Sequence, residues 1–173
     1  MAEAAATLPP DTGLQPVEYK GFVLGLERPS TCWLELIALG AREWEEVGDN
    51  EKLGEFAPDF QTSFKHELAG CMGVVTLRRL GSWELVGYFV GVLGSPLKTK
   101  GKKVLNEVGV YIVEEARTPW LARKLLDYVE DAARVFGADA LIVSHRPEHS
   151  RVGKLYQRAG FTPLSVDYIK TLE

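Results

Sequence analysis

The densest group of residues able to do chemistry in this sequence runs from Arg117 to Lys124. Thr118 is a good N-cap, and Pro119 suits the first helical position, where its missing N–H would be unpartnered anyway. The helix that follows offers the amides of Trp120, Leu121, Ala122 and Arg123 and the positive end of its dipole, while Arg117, Arg123 and Lys124 add cationic side chains. Such a group could hold a pyrophosphate; the alternative is a well-capped amphipathic helix that binds nothing. His145 and His149, with Glu148 beside them, have the spacing of two ligands on a helix, but Pro147 breaks any helix there and no metal site is expected. Ser144 and His145 lack an acidic third member for a hydrolase triad. Cys32 and Cys71, the only cysteines, are too few for a disulfide framework and lack metal-site spacing, which implies a reducing, cytoplasmic setting.

These residues need a frame. The chain has 173 residues, 46% hydrophobic and 25% charged, the size and mix of one globular domain with a real core. No apolar run is long enough for a membrane span and the N-terminus is not a secretory signal, so no membrane partner is expected. The net charge of −4 divides into −7 up to Leu97 and +3 from Lys98 onward. The balance argues against nucleic-acid binding and leaves room for a small anion on the C-terminal half. The lysines of 98–103 read as a solvated hairpin tip before a phosphate or acidic-partner patch.

Residues 1–16 read as a flexible arm and 17–173 as one domain. Strands are expected near 19–26, 71–80, 83–93, 104–113, 138–144 and 161–172. Between them, Ser30 or Thr31 caps a helix with Leu34, Ile37, Ala38, Ala41 and Trp44 at three- and four-residue intervals. A short helix follows over 58–66. The helix after Thr118 carries a stripe of Leu121, Leu125, Val129, Ala132, Ala133 and Phe136 and ends at Gly137; a last helix spans 150–159. A meander followed by alternating helices and strands predicts an α/β domain: one mixed sheet, mostly antiparallel with a central parallel pair, helices on both faces.

Two stretches carry a resemblance to a known family. The first is Glu107 to Leu126, EVGVYIVEEARTPWLARKLL; the second is Lys154 to Phe161, KLYQRAGF. Together with the element order, they resemble the GNAT N-acetyltransferases over about residues 19–172, with Gly87-Tyr-Phe-Val-Gly and the ending Tyr168-x-Lys170-x-Leu172 most similar to divergent members encoded by tailed phages. The resemblance implies acetyl-CoA as co-substrate, no metal and an amine acceptor, small molecule or protein. It places the pyrophosphate at Arg117, Trp120, Leu121, Ala122, Arg123 and Lys124, and the pantetheine arm along the backbone of Val110, Tyr111 and Ile112; the alternative for that strand is full pairing inside the sheet.

The resemblance also implies catalytic roles: Tyr156 as the acid that protonates the departing thiolate, and Glu107 as the base that takes the amine's proton. The chain departs from the family pattern at Trp120, where a loop glycine lets backbone approach phosphate, and His149 stands where members often carry an Asn. Either the indole turns away from the loop or it fills the cofactor's space. The second case describes the alternative function, a GNAT-shaped binding module acting on a host or virion protein; a homodimer is a further open partner.

Overall fold

The computed structural model describes residues 13–96, 100–166 and 169–170. Six strands form a single sheet in the order β1 to β6. They are β1 (Val17–Tyr19), β2 (Phe22–Glu27), β3 (Met72–Arg79), β4 (Leu85–Gly94), β5 (Val104–Ile112) and β6 (Ala140–Ile142). The first five pair antiparallel, and β6 runs parallel to β5. The β5-to-β6 crossover holds α4 (Pro119–Val135), and α5 (Ser150–Arg158) follows β6. Between β2 and β3 lie α1 (Pro29–Glu46), α2 (Asn50–Leu53) and α3 (Phe60–Leu68).

The single strand expected over 19–26 is a hairpin instead. Lys20 and Gly21 have φ of +48° and +83°, the consecutive left-handed pair of a tight turn that suits the twist of flanking strands. The long strands β3, β4 and β5 fall where β-branched and aromatic runs predict them. Tyr88 turns toward α1 on one face of the sheet, its hydroxyl on Glu43. Its neighbour Phe89 turns to the other face, toward Val129 and Ala132 of α4 and the following Phe136. Helices therefore cover both faces, and β3 and β4 are buried along most of their length.

The helix start expected at Ser30 or Thr31 lies at Arg28, with Pro29 in the first helical position. The buried face also differs from the expected stripe. Cys32, Leu36, Leu39 and Gly40 are buried, whereas Leu34 is 84% exposed and Ala38 and Ala41 are exposed. Apolar residues surround this helix, so spacing alone admits more than one buried face, and the non-helical Cys32 (φ −126°) turns its first residues. Gly40 allows close approach: a Cβ there would stand 2.9 Å from the Phe56 ring and 3.5 Å from the Tyr88 hydroxyl. The next residue along the buried face is Glu43.

The short helix expected over 58–66 begins at Phe60 because Asp59 caps it, accepting the Thr62 N–H at 3.0 Å. In α4 the expectation holds: the Thr118 hydroxyl accepts the Leu121 N–H at 3.3 Å, and Leu121, Leu125, Val129, Ala132 and Ala133 are buried. The strand expected over 161–172 is not formed over 161–166 or 169–170; Tyr168 and Leu172 lie outside the described residues. Strand β6 pairs over only three residues, a short edge for another strand to join, and Pro163 has no N–H to give. Leu164 and Val166 are accordingly 76% and 72% exposed. A cleft of about 260 Å³ opens beside Phe161, between β6 and the end of α4, and no candidate catalytic residue lines it.

Most of the expected arm lies outside the described residues; of its last part, Leu14 packs on the core and the Gln15 carbonyl accepts the Tyr128 hydroxyl at 3.3 Å. Of the lysine-rich link, Lys102 pairs with Asp139 at 2.9 Å, and Lys98 lies outside the described residues. No described helix is long and apolar enough to cross a membrane.

Candidate active site

Strands β5 and β6 pair only from Val104–Ala140 to Asn106–Ile142 and then part. A bulge sits where they separate: Gly91 pairs with Glu107 and Val90 with Gly109, so Val108 is an extra residue on β5. The Val113 N–H donates to the Val86 carbonyl at 2.9 Å, which sets the alternation along the strand. Val110 and Ile112 therefore turn their N–H and C=O away from β4 and into the gap, while Tyr111 pairs with β4.

Glu107 stands at the parting of the strands. Its carboxylate accepts the Ser144 N–H at 3.0 Å and the Ser144 hydroxyl at 3.4 Å. Burial pushes its pKa up to about 7, the nearby Glu43 charge adds to the rise, and the Ser144 donors oppose it. Glu43 reaches the same strand from α1, accepting the Tyr88 hydroxyl, and the Val110 N–H lies near enough to oppose the rise of its pKa. Burial raises Glu43 above the ordinary carboxylate range, and the charges of Asp49 and Glu46 push the same way.

Tyr156 enters from α5 and is only 7% exposed. Its ring packs 6.2 Å from that of His145 and 5.7 Å from that of Phe161. Burial, then the facing charges of Glu107 and Glu43, hold its hydroxyl well above the usual tyrosine range. That hydroxyl has no hydrogen-bond partner among the described residues. Glu107 and Tyr156, 49 positions apart in the chain, are thus near enough for the charge of one to act on the other.

Arg117 is held by the protein itself. It donates to Glu46 at 2.7 and 3.1 Å and to the Ile112 carbonyl at 2.9 and 2.8 Å, with its guanidinium 5.3 Å from the Tyr111 ring. Glu46 also accepts the Tyr111 hydroxyl at 2.9 Å and is held below the ordinary carboxylate range, chiefly by Arg117. At the start of α4 the Leu121 amide is taken by the Thr118 hydroxyl and the Ala122 amide by the Thr118 carbonyl. Pro119 has none, which leaves the Trp120 N–H. Arg123 binds Asp127 at 2.7 Å and the Arg158 carbonyl at 3.0 Å, and the Lys124 ammonium lies 5.8 Å from the Tyr19 ring.

Trp120 turns onto the β1–β2 hairpin, with its ring 5.7 Å from Tyr19 and the Lys20 ammonium 4.6 Å above it. This contact sets a stability prediction. Trp120→Gly should cost about 2 kcal/mol in urea denaturation, from the lost aromatic pair and a glycine in the first helical turn.

The remaining candidates stand apart. Among the described residues, no three of the His, Cys, Asp and Glu side chains gather as metal ligands. The His145 ring packs over Gly153, where it leaves no room for a Cβ, and Arg146 ties the same loop to Asp49. Cys32 is buried, its thiol pushed up to about 12 by burial. Cys71 lies 3.3 Å from His66 Nδ1, on the loop after α3. Sequence reasoning missed Glu43, Glu46, Tyr88 and Ser144. The one local signal was the spacing of Glu43 from Leu36 and Leu39, which places it on the buried face.

No protein-family model and no curated protein matches the sequence. Solved structures do. An aminoglycoside acetyltransferase from an uncultured soil metagenomic sample is 15% identical, with a TM-score of 0.68 over 89% of this chain and 100% of that one. The structure of AAC(6')-Iy in complex with the bisubstrate analogue CoA-S-monomethyl-acetylneamine is 15% identical, with a TM-score of 0.62 over 86% of this chain and 99% of that one. A ribosomal-protein-alanine N-acetyltransferase from Brucella melitensis biovar Abortus 2308 is 16% identical, with a TM-score of 0.63 over 88% and 99%. With the parted strands and the bulge, this similarity shows that the chain has the GNAT N-acetyltransferase fold, at a long sequence distance from these structures.

Proposed function

We propose that the protein transfers an acetyl group from acetyl-CoA to an amine by direct attack within a ternary complex. The observation that carries this reading is Glu107 at the parting of β5 and β6, its carboxyl pushed up to about 7 by burial, with the 7% exposed Tyr156 within reach of its charge. Acetyl-CoA would supply the thioester. Glu107, directly or through a water it holds, accepts the proton of the attacking amine. Tyr156 donates a proton to the sulfur that leaves. No covalent step on the protein is needed; Cys32 is buried against the start of α1 and Cys71 lies beside His66 after α3.

The chain's residues fit such a co-substrate if two internal contacts exchange. Of the edge groups of Val110 and Ile112 that would pair with a pantetheine arm, the Ile112 carbonyl is engaged by Arg117 and the Val110 N–H lies near Glu43. The Arg117–Glu46 pair is 41% and 38% exposed, and such pairs are worth about 0–1 kcal/mol, so a bidentate phosphate contact can displace it. Coenzyme A at a hundredfold excess over its dissociation constant should therefore stabilise the protein by about 2.7 kcal/mol, read as a rise in melting temperature. Arg117→Ala should reduce that rise and Glu46→Gln, which frees the arginine, should increase it.

A second reading has its own observation: the Ile112 carbonyl at the edge is already taken by Arg117, and the start of α4 has few open amides. On that reading the protein is a binding module on an acetyltransferase frame. No thermal shift at millimolar coenzyme A, in either the natural protein or Glu46→Gln, would leave that reading standing.

A further inference from the structure

We infer that Asp49, at the corner where α1 meets α2, is a positioning residue for the candidate site: through Arg146 it fixes the segment after β6 that holds Glu107 and packs on Tyr156. The roles of those two residues rest on the acetyl-transfer reading, but the tie itself stands on contacts within the chain.

The corner is stiff and lies across the parting of β5 and β6. Gly48, at φ +71°, lets α1 end with the Gly48 N–H on the Glu45 carbonyl at 3.2 Å and the Asp49 N–H on the Trp44 carbonyl at 3.1 Å, the paired bonds of a glycine-capped helix end. On the β5 side, Glu46 accepts Tyr111 and Arg117. Three residues on, the Asp49 carboxylate accepts Arg146, which stands four residues past the end of β6. One short turn of chain is thus pinned on both sides of the gap. When Arg117 turns to a phosphate, the Asp49 anchor remains.

Asp49 is not spent where its position would ordinarily spend it. It stands at the N-cap of α2, yet its side chain makes no cap bond, whereas Asp59 in the same position on α3 accepts the Thr62 N–H. Helix α2 is four residues long and buries none of them, so its own packing does not call for a carboxylate that is only 10% exposed. A charge so far withdrawn from water needs a partner, and Arg146, 97 positions away, supplies it.

Arg146 in turn organises its segment. Its carbonyl accepts the His149 N–H at 2.9 Å and the His145 Nδ1–H at 2.8 Å. Ser144, two residues before it, gives Glu107 an N–H at 3.0 Å and a hydroxyl at 3.4 Å. The His145 ring packs over Gly153 of α5, 6.2 Å from the Tyr156 ring. Tyr156 alone is buried along α5. That helix therefore takes its place from the loop at its start and from the Arg123 bond to the Arg158 carbonyl at its end.

The test reads Glu107 directly and needs neither coenzyme A nor an amine. Its carboxyl is titrated by carbon-13 NMR in the natural protein, in Asp49→Ala and in Arg146→Met, with Glu107→Gln assigning the signal. The groups that act on that carboxyl are Glu43 of α1, Tyr88 of β4, Tyr156 of α5 and the Ser144 donors, and neither substitution alters them. Cutting the tie from either end lets water reach Glu107, so its midpoint should fall from about 7 to below roughly 6 in both variants, with circular dichroism unchanged. Charge alone would give opposite signs: losing the Asp49 anion lowers a nearby carboxyl, and losing the Arg146 cation raises it. Asp59→Ala, which strips the cap from α3, should lower the melting temperature and leave the midpoint near 7. A midpoint that stays near 7 or rises in either tie variant, or that falls equally in Asp59→Ala, would overturn the positioning role. With an accepted amine, both tie variants should also lower kcat roughly 10- to 100-fold while the KM for acetyl-CoA holds; an unchanged kcat in both would overturn it as well. Absence of coenzyme A binding would count against the transfer reading alone, because the titration does not involve it.

Discussion

Tyr156→Phe is expected to lower turnover roughly 10²–10⁴-fold, the usual worth of a positioned acid or base, while coenzyme A affinity stays within about twofold. The hydroxyl makes no hydrogen bond among the described residues, and the ring contacts with His145 and Phe161 survive in phenylalanine. The melting temperature should therefore hardly move, and the loss should fall on the chemical step. The surroundings also explain how a tyrosine held above its usual range could release a proton at neutral pH. Two of the three causes holding it up are the charges of Glu107 and Glu43. When Glu107 takes the amine's proton its charge vanishes, and Tyr156 becomes a better donor at the moment the sulfur leaves. Steady-state kinetics with any accepted amine checks this; full activity in the Phe variant would remove Tyr156 from the mechanism.

The second large effect concerns Glu107. Its carboxyl is protonated below about pH 7 and ionised above. A base works only when ionised, so kcat/KM should rise with pH through about 7 and level off. Glu107→Gln should abolish that limb and lower kcat/KM roughly 10²–10⁴-fold. Stability should move in the opposite direction. The folded pKa of about 7 lies above the ordinary 4.5, so the folded protein binds this proton more tightly than the unfolded chain does. That contribution is full below 4.5 and is lost as pH rises through 7, leaving a buried charge that costs a few kcal/mol, at about 1.4 kcal/mol per pKa unit. Glutamine keeps an oxygen for the Ser144 donors and carries no charge. Glu107→Gln should thus melt higher than the natural protein at pH 8 and about equal to it near pH 4.5. A variant that gains stability and loses activity marks a residue retained for chemistry. Unchanged activity with the pH limb intact would assign the base elsewhere.

Some of this was legible in the linear chain because its causes are local. The cap of α4 needs only Thr118 and Pro119 side by side, and the stripe from Leu121 to Ala133 needs only a helical period. The strands β3, β4 and β5 are runs of β-branched and aromatic residues, buried or half-buried for most of their length, so composition alone marks them. The pairing of two β-rich segments across a capped helix implied the parallel contact of β5 with β6.

Other features were decided by residues far apart. Leu34 and Leu36 are equally apolar, and only docking on the sheet exposes one, buries the other and brings Glu43 to Tyr88. Arg117 reads as a phosphate ligand when the neighbours considered are its own loop; the fold supplies Glu46, 71 positions away, as its partner. The strand expected over 161–172 has the right composition, but a strand exists only where an edge receives it, and β6 offers three residues. By itself, then, the sequence determined the elements, their order and the residue types able to do chemistry, because propensity, capping and periodicity act within one or two turns of chain. Which carboxylates lose their water, which cations are spent on internal partners and which hydroxyl stays unpaired were decided only by the tertiary structure, because burial and charge pairing depend on distances through space.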